Sequence, residues 1–431
     1  MRNFIASQAA GAFALEHFVA AGKAGLKYER DRNTDFGPVP MSANTLSVSQ
    51  LSPYIRYRML LETQVLSKTL ARETRLTADK FIQEVCWRTY WKGWLENRSE
   101  VWRRYTEERD EISNTNAALA KAIDQATRGA TNIQCFDAWV EELVSTGYLH
   151  NHTRMWFASI WIFTLNLPWA KGADFFMQHL CDADAASNTL SWRWVAGLHT
   201  AGKHYLARAD NIFRYTNQRF NPRGQLNESA PPKTESVGAQ SRLMGSSNIH
   251  PNFQSMPISC ATVREKGVDK RAWLLLHDED LSPDDWLVQD QIAGIIVLNS
   301  ASTRSANGIG HVSAKFNDGA LDDATNRLRR RWHLDDQQVI YCASPTHLAK
   351  QLGVQQTFAE ARIVHAWIPV GSTRDALTDP VNQLRNQGIT FQSVLSEWDQ
   401  MAWPHATEGF FKFRARIPEL LNEIVVSRGS I

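Results

Sequence analysis

Apolar residues recur at three- and four-residue spacing through Leu51–Leu70, Phe81–Leu95, Phe136–Leu149 and Met155–Leu167, which predicts helices with one buried face. No sustained alternation of period two interrupts them up to about residue 225. The pattern then changes. From Gly224 to Lys270 the chain is rich in Ser, Gly, Asn, Gln and Pro and poor in large apolar residues, so it reads as a linker or a long surface crossover. Beyond Lys270, short apolar runs appear at Ala272–His277, Ala293–Leu298, Gln338–Cys342, Arg362–Ile368 and Ile389–Val394. Helix-like stretches lie between them at Asp285–Gln291, Leu321–Trp332, Ser344–Leu352 and Arg374–Gln387. Strand and helix alternating at this spacing predict a parallel sheet with helices on both faces. The expected organisation is a helical domain over 1–225, a linker over 226–269 and an α/β domain over 270–431.

Composition narrows the class. The chain has 431 residues, 43% hydrophobic and 21% charged, with a formal net charge of +2. That composition forms cores and excludes a disordered chain. It also excludes a strongly basic or acidic tail, although one basic groove remains compatible with it. The five cysteines are scattered without a CxxC pair, which argues against zinc, iron–sulfur and disulfide frameworks and for a reducing, cytoplasmic compartment. Glu16, His17 and Lys23 interrupt the small-residue N-terminal stretch, so it reads as an amphipathic helix and not as a signal peptide. Met155–Trp169 is too short for a bilayer span and reads as a buried core helix. Of sixteen tryptophans, ten fall between Trp87 and Trp194, a crowding that asks for a cause beyond packing.

Four stretches carry candidate chemistry. In the first, Phe81, Glu84, Trp87, Arg88 and Trp91 share one helix face. A Glu and an Arg among aromatics are costly to bury unless partnered. They are either an ordinary i,i+4 pair or part of a site. In the second, Asn151, Arg154 and Met155 share a face at the mouth of the next apolar helix and need acceptors nearby. The third is Cys181-Asp182-Ala-Asp184, leading to Asn188 and Trp192-Arg-Trp194. A calcium loop fails there, because Ser187 and Arg193 stand where Gly and Glu are needed. The acids are better suited to accept from Arg154 or from a ligand. In the fourth, Ser47-Val-Ser49-Gln50-Leu51-Ser52-Pro53 offers hydroxyls and N–H groups at a helix start, fit for a cap or for a pyrophosphate. The histidines show no metal spacing.

These pieces, in this order, resemble the flavin domain of the photolyase/cryptochrome family. The matching stretches are KYERDRN, SVSQLSPYIR, FIQEVCWRTYW, TGYLHNHTRMWFAS and DFFMQHLCDADAASNTLSWRWVAG, within about residues 1–220. The resemblance implies an all-α FAD-binding domain followed by a Rossmann-like α/β domain of the antenna type. It implies FAD held by Tyr28, Ser49, Gln50, Leu51, Ser52, Phe81, Glu84, Arg88, Asn151, Arg154, Asp182, Asp184 and Asn188. It implies a lesion pocket of Glu84, Trp87, Asn151, Met155 and Trp194, and electron transfer through Trp192 and Trp169. No metal is implied, and the α/β domain shows no motif for a particular antenna chromophore.

The family normally places its α/β domain first. Here AWLLLHDEDL looks like that domain's opening strand, and ITFQSVLSEWDQMAWPHATEGFFKFRARIPEL looks like the segment leading into the flavin domain. The expectation is therefore a circular permutation, with each domain folding around its own core. Three departures stand out. Val48 replaces a usual hydroxyl residue. No Trp lies between Trp102 and Trp139, where the outermost electron-transfer member is expected, leaving Trp156 or Trp161 as stand-ins. His152 stands where an Arg often meets DNA phosphate.

The activity this implies is light-driven splitting of cyclobutane pyrimidine dimers in UV-damaged DNA, single- or double-stranded. Arg193, Lys203, His204, Arg208, Arg214 and Arg219 would form a phosphate rim. The alternative is a cryptochrome-type blue-light photoreceptor without repair.

Overall fold

The computed structural model describes residues 4–38, 47–112, 117–200, 203–234, 258–259, 271–287, 292–353, 358 and 361–428. Cys260, most of the expected linker and residues 288–291 lie outside them. The first part of the chain is helical, as its periodicity predicts. The long helix Asp79–Glu96 lies at its centre and touches the helices Glu62–Leu70, Ala185–Ala196 and Phe410–Arg428. Among the described residues, no helix is long and apolar enough to cross a membrane.

Three predicted helices are broken where the chain has a reason to turn. Leu51–Leu70 divides into Ser52–Arg56 and Glu62–Leu70, with Arg58 held at φ +53° between them. The break sends Arg56 and Arg58 towards the second half of the chain. No Ser side chain caps Ser52–Arg56; Leu51 is the cap residue, and Pro53 sits in the first turn. Met155–Leu167 is helical from Asn151 to Ser159 and then widens into a π-turn, Ile160–Thr164. Gln134–Thr146 stops at Gly147, whose φ of +67° makes it a typical left-handed helix end.

The second part carries one parallel sheet. Its strands are β1 (Ile258–Ser259), β2 (Ala272–His277), β3 (Ile292–Leu298), β4 (Val339–Cys342), β5 (Arg362–Ala366) and β6 (Thr390–Leu395), in the spatial order β1-β6-β5-β2-β3-β4. All five predicted runs are strands. β1 comes from the stretch expected to be linker and pairs with Val394 and Leu395. The expected helix at Asp285–Gln291 is only a short 3-10 turn, Pro283–Asp285, within its described part.

The strand order reverses at β2, so a crevice opens beyond the carboxyl ends of β3, β2 and β5. Here the helical half fills it. Arg56 donates to the Asp278 carbonyl, and its Nη2 lies 3.0 Å from both Asp278 Oδ2 and Glu279 Oε1. Arg304 Nη2 reaches the same Asp278 oxygen at 2.6 Å, and Ser300 Oγ donates to Oδ1 at 2.8 Å. Arg58 Nη1 binds Asp399 at 2.8 Å.

The apolar core is shared in the same way. One cluster runs from the helices onto one sheet face, and Phe316 packs against Phe4, Tyr54 and Tyr57. A second cluster fills the other face beneath the helices Pro345–Gly353 and Ser372–Asn386. The expectation that each domain folds around its own core is therefore corrected for the larger cluster.

Candidate functional site

A cavity of about 700 Å³ opens in the helical half. That size suits an organic cofactor or ligand. Every residue named above for the flavin and for the lesion lines it. Its first wall is the helix Asp79–Glu96, which presents Phe81, Glu84, Trp87, Arg88 and Trp91. The turn Val48–Ser52 forms a second wall, in which buried Gln50 is held at φ +53°. That backbone is strained for a non-glycine residue and persists only where neighbours enforce it. The helices Asn151–Ser159 and Ala185–Ala196 close the opposite side.

The expected Glu84–Arg88 pair does not form. Glu84 Oε1 accepts from Arg32 Nη1 at 2.5 Å, whereas Arg88 Nη1 donates to Glu62 at 2.5 Å. The two side chains diverge because each has a better partner off its own helix. Burial pushes the Glu84 carboxyl above its ordinary range, with Arg32 pulling the other way. Arg32 also lines the cavity and was not singled out from the sequence. Its position four residues after Tyr28, on the following turn, was the available signal.

Arg154 Nη2 donates to Asp182 Oδ2 at 2.7 Å, as the spacing suggested. Among the described residues, buried Asp182 Oδ1 has no hydrogen-bond partner. Asp184 caps its helix by accepting from Ser187 N at 2.7 Å and lies 3.6 Å from Lys92 Nζ and 3.7 Å from Arg88 Nη2. Burial opposes the charged form, but Lys92 and Arg88 outweigh it and hold the Asp184 carboxyl below its usual value. Asn188 Nδ2 donates to Ala173 O at 2.8 Å, which fixes the amide.

The aromatic residues are placed unevenly. Trp192 lines the cavity and meets Trp161 edge to face at 6.3 Å. Trp169 lies away from the cavity wall; its indole donates to Glu108 at 3.1 Å, and its ring neighbours Tyr105 at 5.6 Å, which in turn neighbours Trp102 at 5.1 Å. Trp87 stacks on Phe410 at 3.5 Å and 11°, so one of its faces is already covered. Trp194 stacks on Tyr205 at 5.9 Å.

His152 lies inside an aromatic nest. It stacks on Trp156 at 4.3 Å, approaches Tyr215 at 5.4 Å, and its Nδ1 lies 3.1 Å from Asn33 O. Burial lowers its pKa, so it is neutral near pH 7 and no substitute for an exposed arginine. The expected phosphate rim also needs correction. Arg193 is only 4% exposed and lies over the Trp169 ring, because it sits on the inner face of its helix. Lys203, Arg208 and Arg214 are exposed.

Residues 81–240 match the family model described as the FAD binding domain of DNA photolyase. A deoxyribodipyrimidine photo-lyase of Streptomyces griseus is 29% identical over 180 residues, 38% of this chain and 38% of that protein. Cryptochrome-1 of Arabidopsis thaliana is 33% identical over 98 residues, 23% of this chain and 14% of that protein. The chain thus spans less than half the length of these relatives. A solved bacterial class III photolyase from Agrobacterium tumefaciens aligns with a TM-score of 0.40 and 23% identity, over 56% of this chain and 55% of that one. The likeness to photolyases and cryptochromes thus lies in the helical half, where the matching family model describes an FAD binding domain.

Proposed function

We propose that the cavity holds FAD and that the protein splits cyclobutane pyrimidine dimers in DNA under blue light. One observation carries this reading: a single cavity gathers all the flavin and lesion residues, and its wall holds a buried carboxylate oxygen, Asp182 Oδ1, without a donor among the described residues. An unpaired buried acceptor is costly and suits a ligand N–H or hydroxyl. The donor set therefore fits the cofactor. Ser49 and Ser52 would hold its phosphates; Arg88, Arg154, Asp182 and Asp184 would fix its polar groups, and Asn188 would face its ring. Tyr28, Phe81, Gln50 and Leu51 would complete the walls.

When bound, FAD supplies light absorption and one-electron chemistry. The protein's part is binding and electrostatics. A dimer is weakly stacked, so extruding it from the helix costs only a few kcal/mol. Trp194, Met155 and the uncovered face of Trp87 would clasp it, and Asn151 would orient it. Glu84, its carboxyl biased towards holding a proton, would donate to a pyrimidine carbonyl where negative charge develops. Trp192 and Trp169 would carry electrons towards the surface.

The chain order is read as a circular permutation, with a flavin domain over 1–225, a linker over 226–269 and an antenna-type domain over 270–431. Its support is the placement of Phe410–Arg428 against Asp79–Glu96, which lets the end of the α/β part abut the flavin domain. A blue-light photoreceptor is the second reading. The Phe410 stack on Trp87 favours it, because that face is withdrawn from a substrate.

The test is blue-light illumination of the reduced, flavin-loaded chain with UV-irradiated oligothymidylate. Recovery of thymine absorbance is expected. No recovery, with flavin demonstrably reduced and bound, would remove the repair reading.

A further inference from the structure

We infer that Phe411 is a stacking platform for an unpaired nucleobase beside the cavity mouth. The inference rests on the nucleic-acid reading above and adds a contact from the C-terminal helix. Three phenylalanines open that helix. Phe410 and Phe413 are buried, whereas Phe411 is 82% exposed and still lines the cavity. Isolated exposed apolar residues are common and need no function. This one differs in being held in place at a cavity mouth.

Its neighbours fix it from both sides. Phe410 lies flat on Trp87, and Phe413 packs on Tyr90 at 5.5 Å. The Tyr90 hydroxyl donates to Glu408 O at 2.7 Å, and Arg98 donates to Thr407 O at 2.6 Å. Arg414 ties the helix to Asp79 at 3.0 Å, at the start of the helix that carries Glu84 and Trp87. A rigid backbone therefore presents a flat, wet aromatic face next to the tryptophans.

The charge around it selects the occupant. Lys412 is exposed beside Phe411 and pairs with Glu408, Arg414 is half-exposed and pairs with Asp79, and Lys80 lies within electrostatic reach of Glu84. An aromatic face flanked by cations is how proteins hold unpaired bases, since every base has a flat face and a nearby phosphate. In a single strand, the base next to an extruded lesion loses its stacking partner and is free to stack at this position.

The test uses the full chain with FAD bound, in the dark, with fluorescence anisotropy of labelled oligothymidylate, UV-irradiated or not. Phe411→Ala and Phe411→Leu should each weaken binding of irradiated strand about tenfold, and Phe411→Trp should keep it, given the usual contribution of one base–aromatic stack. Flavin content and melting temperature should not move, because the side chain is outside the core. Unchanged affinity in Phe411→Ala, with the unaltered protein binding normally, overturns the platform and leaves the proposed function standing. Loss of self-association without loss of strand affinity overturns it as well, assigning the ring to a contact between copies. If the unaltered protein binds no strand, the nucleic-acid reading falls and takes the platform with it.

Discussion

Two groups of buried carboxylates lie close together in this molecule and are satisfied in different ways. At the seam between the halves, Asp278 receives Arg56, Arg304 and Ser300; Glu279 receives Arg56 and Lys92; Asp399 receives Arg58 and Ser396. Protein donors meet these acids from several elements. On the cavity wall, Asp182 has one oxygen paired and, among the described residues, one orphaned, and partly buried Glu84 pairs with Arg32. The seam acids complete the fold, whereas the wall acids retain capacity for a ligand. Burial alone does not separate the two groups; an unmet acceptor facing the cavity, as at Asp182, does.

Breaking the seam should give the largest effect. Asp278→Ala would remove the buried carboxylate that Arg56 and Arg304 share, a loss of about 3–5 kcal/mol for a broken buried pair. Urea denaturation followed by tryptophan fluorescence would show it; a midpoint within error of the parent would deny the seam its role. Asp182→Asn should act oppositely. It keeps shape and removes charge, so flavin affinity should drop about tenfold or more, the scale of one charge-assisted hydrogen bond. Its urea midpoint should change far less than that of Asp278→Ala. Equal stability losses in the two variants would erase the distinction between wall and seam.

Acid titration sharpens the same contrast. Burial lowers the pKa of His365 to about 3 and those of His199 and His179 to about 4, so the fold holds them neutral. As pH falls below the ordinary histidine value of about 6.5, the unfolded chain takes up protons that the fold refuses, and stability declines. Asp278, Glu279 and Asp399 are depressed by Arg56, Lys92 and Arg58 against the opposing effect of burial. Their contribution is present above about pH 4 and fades below it. Stability should therefore fall in two stages, the second steeper and smaller in Asp278→Ala. A single stage centred near neutrality would contradict this. The smallest effect on the fold is expected from Glu84→Ala: flavin retained, stability little changed, and dimer splitting reduced about tenfold or more, as for loss of one preorganised donor.

Much of this was legible in the sequence because it depends on local periodicity. The helices of the first half, the five strand runs and the shared face of Glu84, Trp87 and Arg88 all follow from spacing. What was not legible depends on contacts between distant segments. Arg32 meets Glu84 across 52 positions, and Arg56 meets Asp278 across 222. The breaks near Arg58 and at Ile160–Thr164 are tertiary choices that override a continuous helical pattern. The burial of Arg193 is not legible because charge in a sequence signals exposure, whereas the Trp169 ring beneath it makes burial tolerable. β1 escaped notice because two residues in a polar stretch carry no periodic signal.

The central claim is that the cavity wall is built for a flavin. Titration of the purified chain with FAD, followed by flavin fluorescence and visible absorbance, addresses it directly. Saturable binding of one FAD per chain is expected, weakened about tenfold or more in Asp182→Asn. A folded protein that stays colourless in the presence of excess FAD would contradict it.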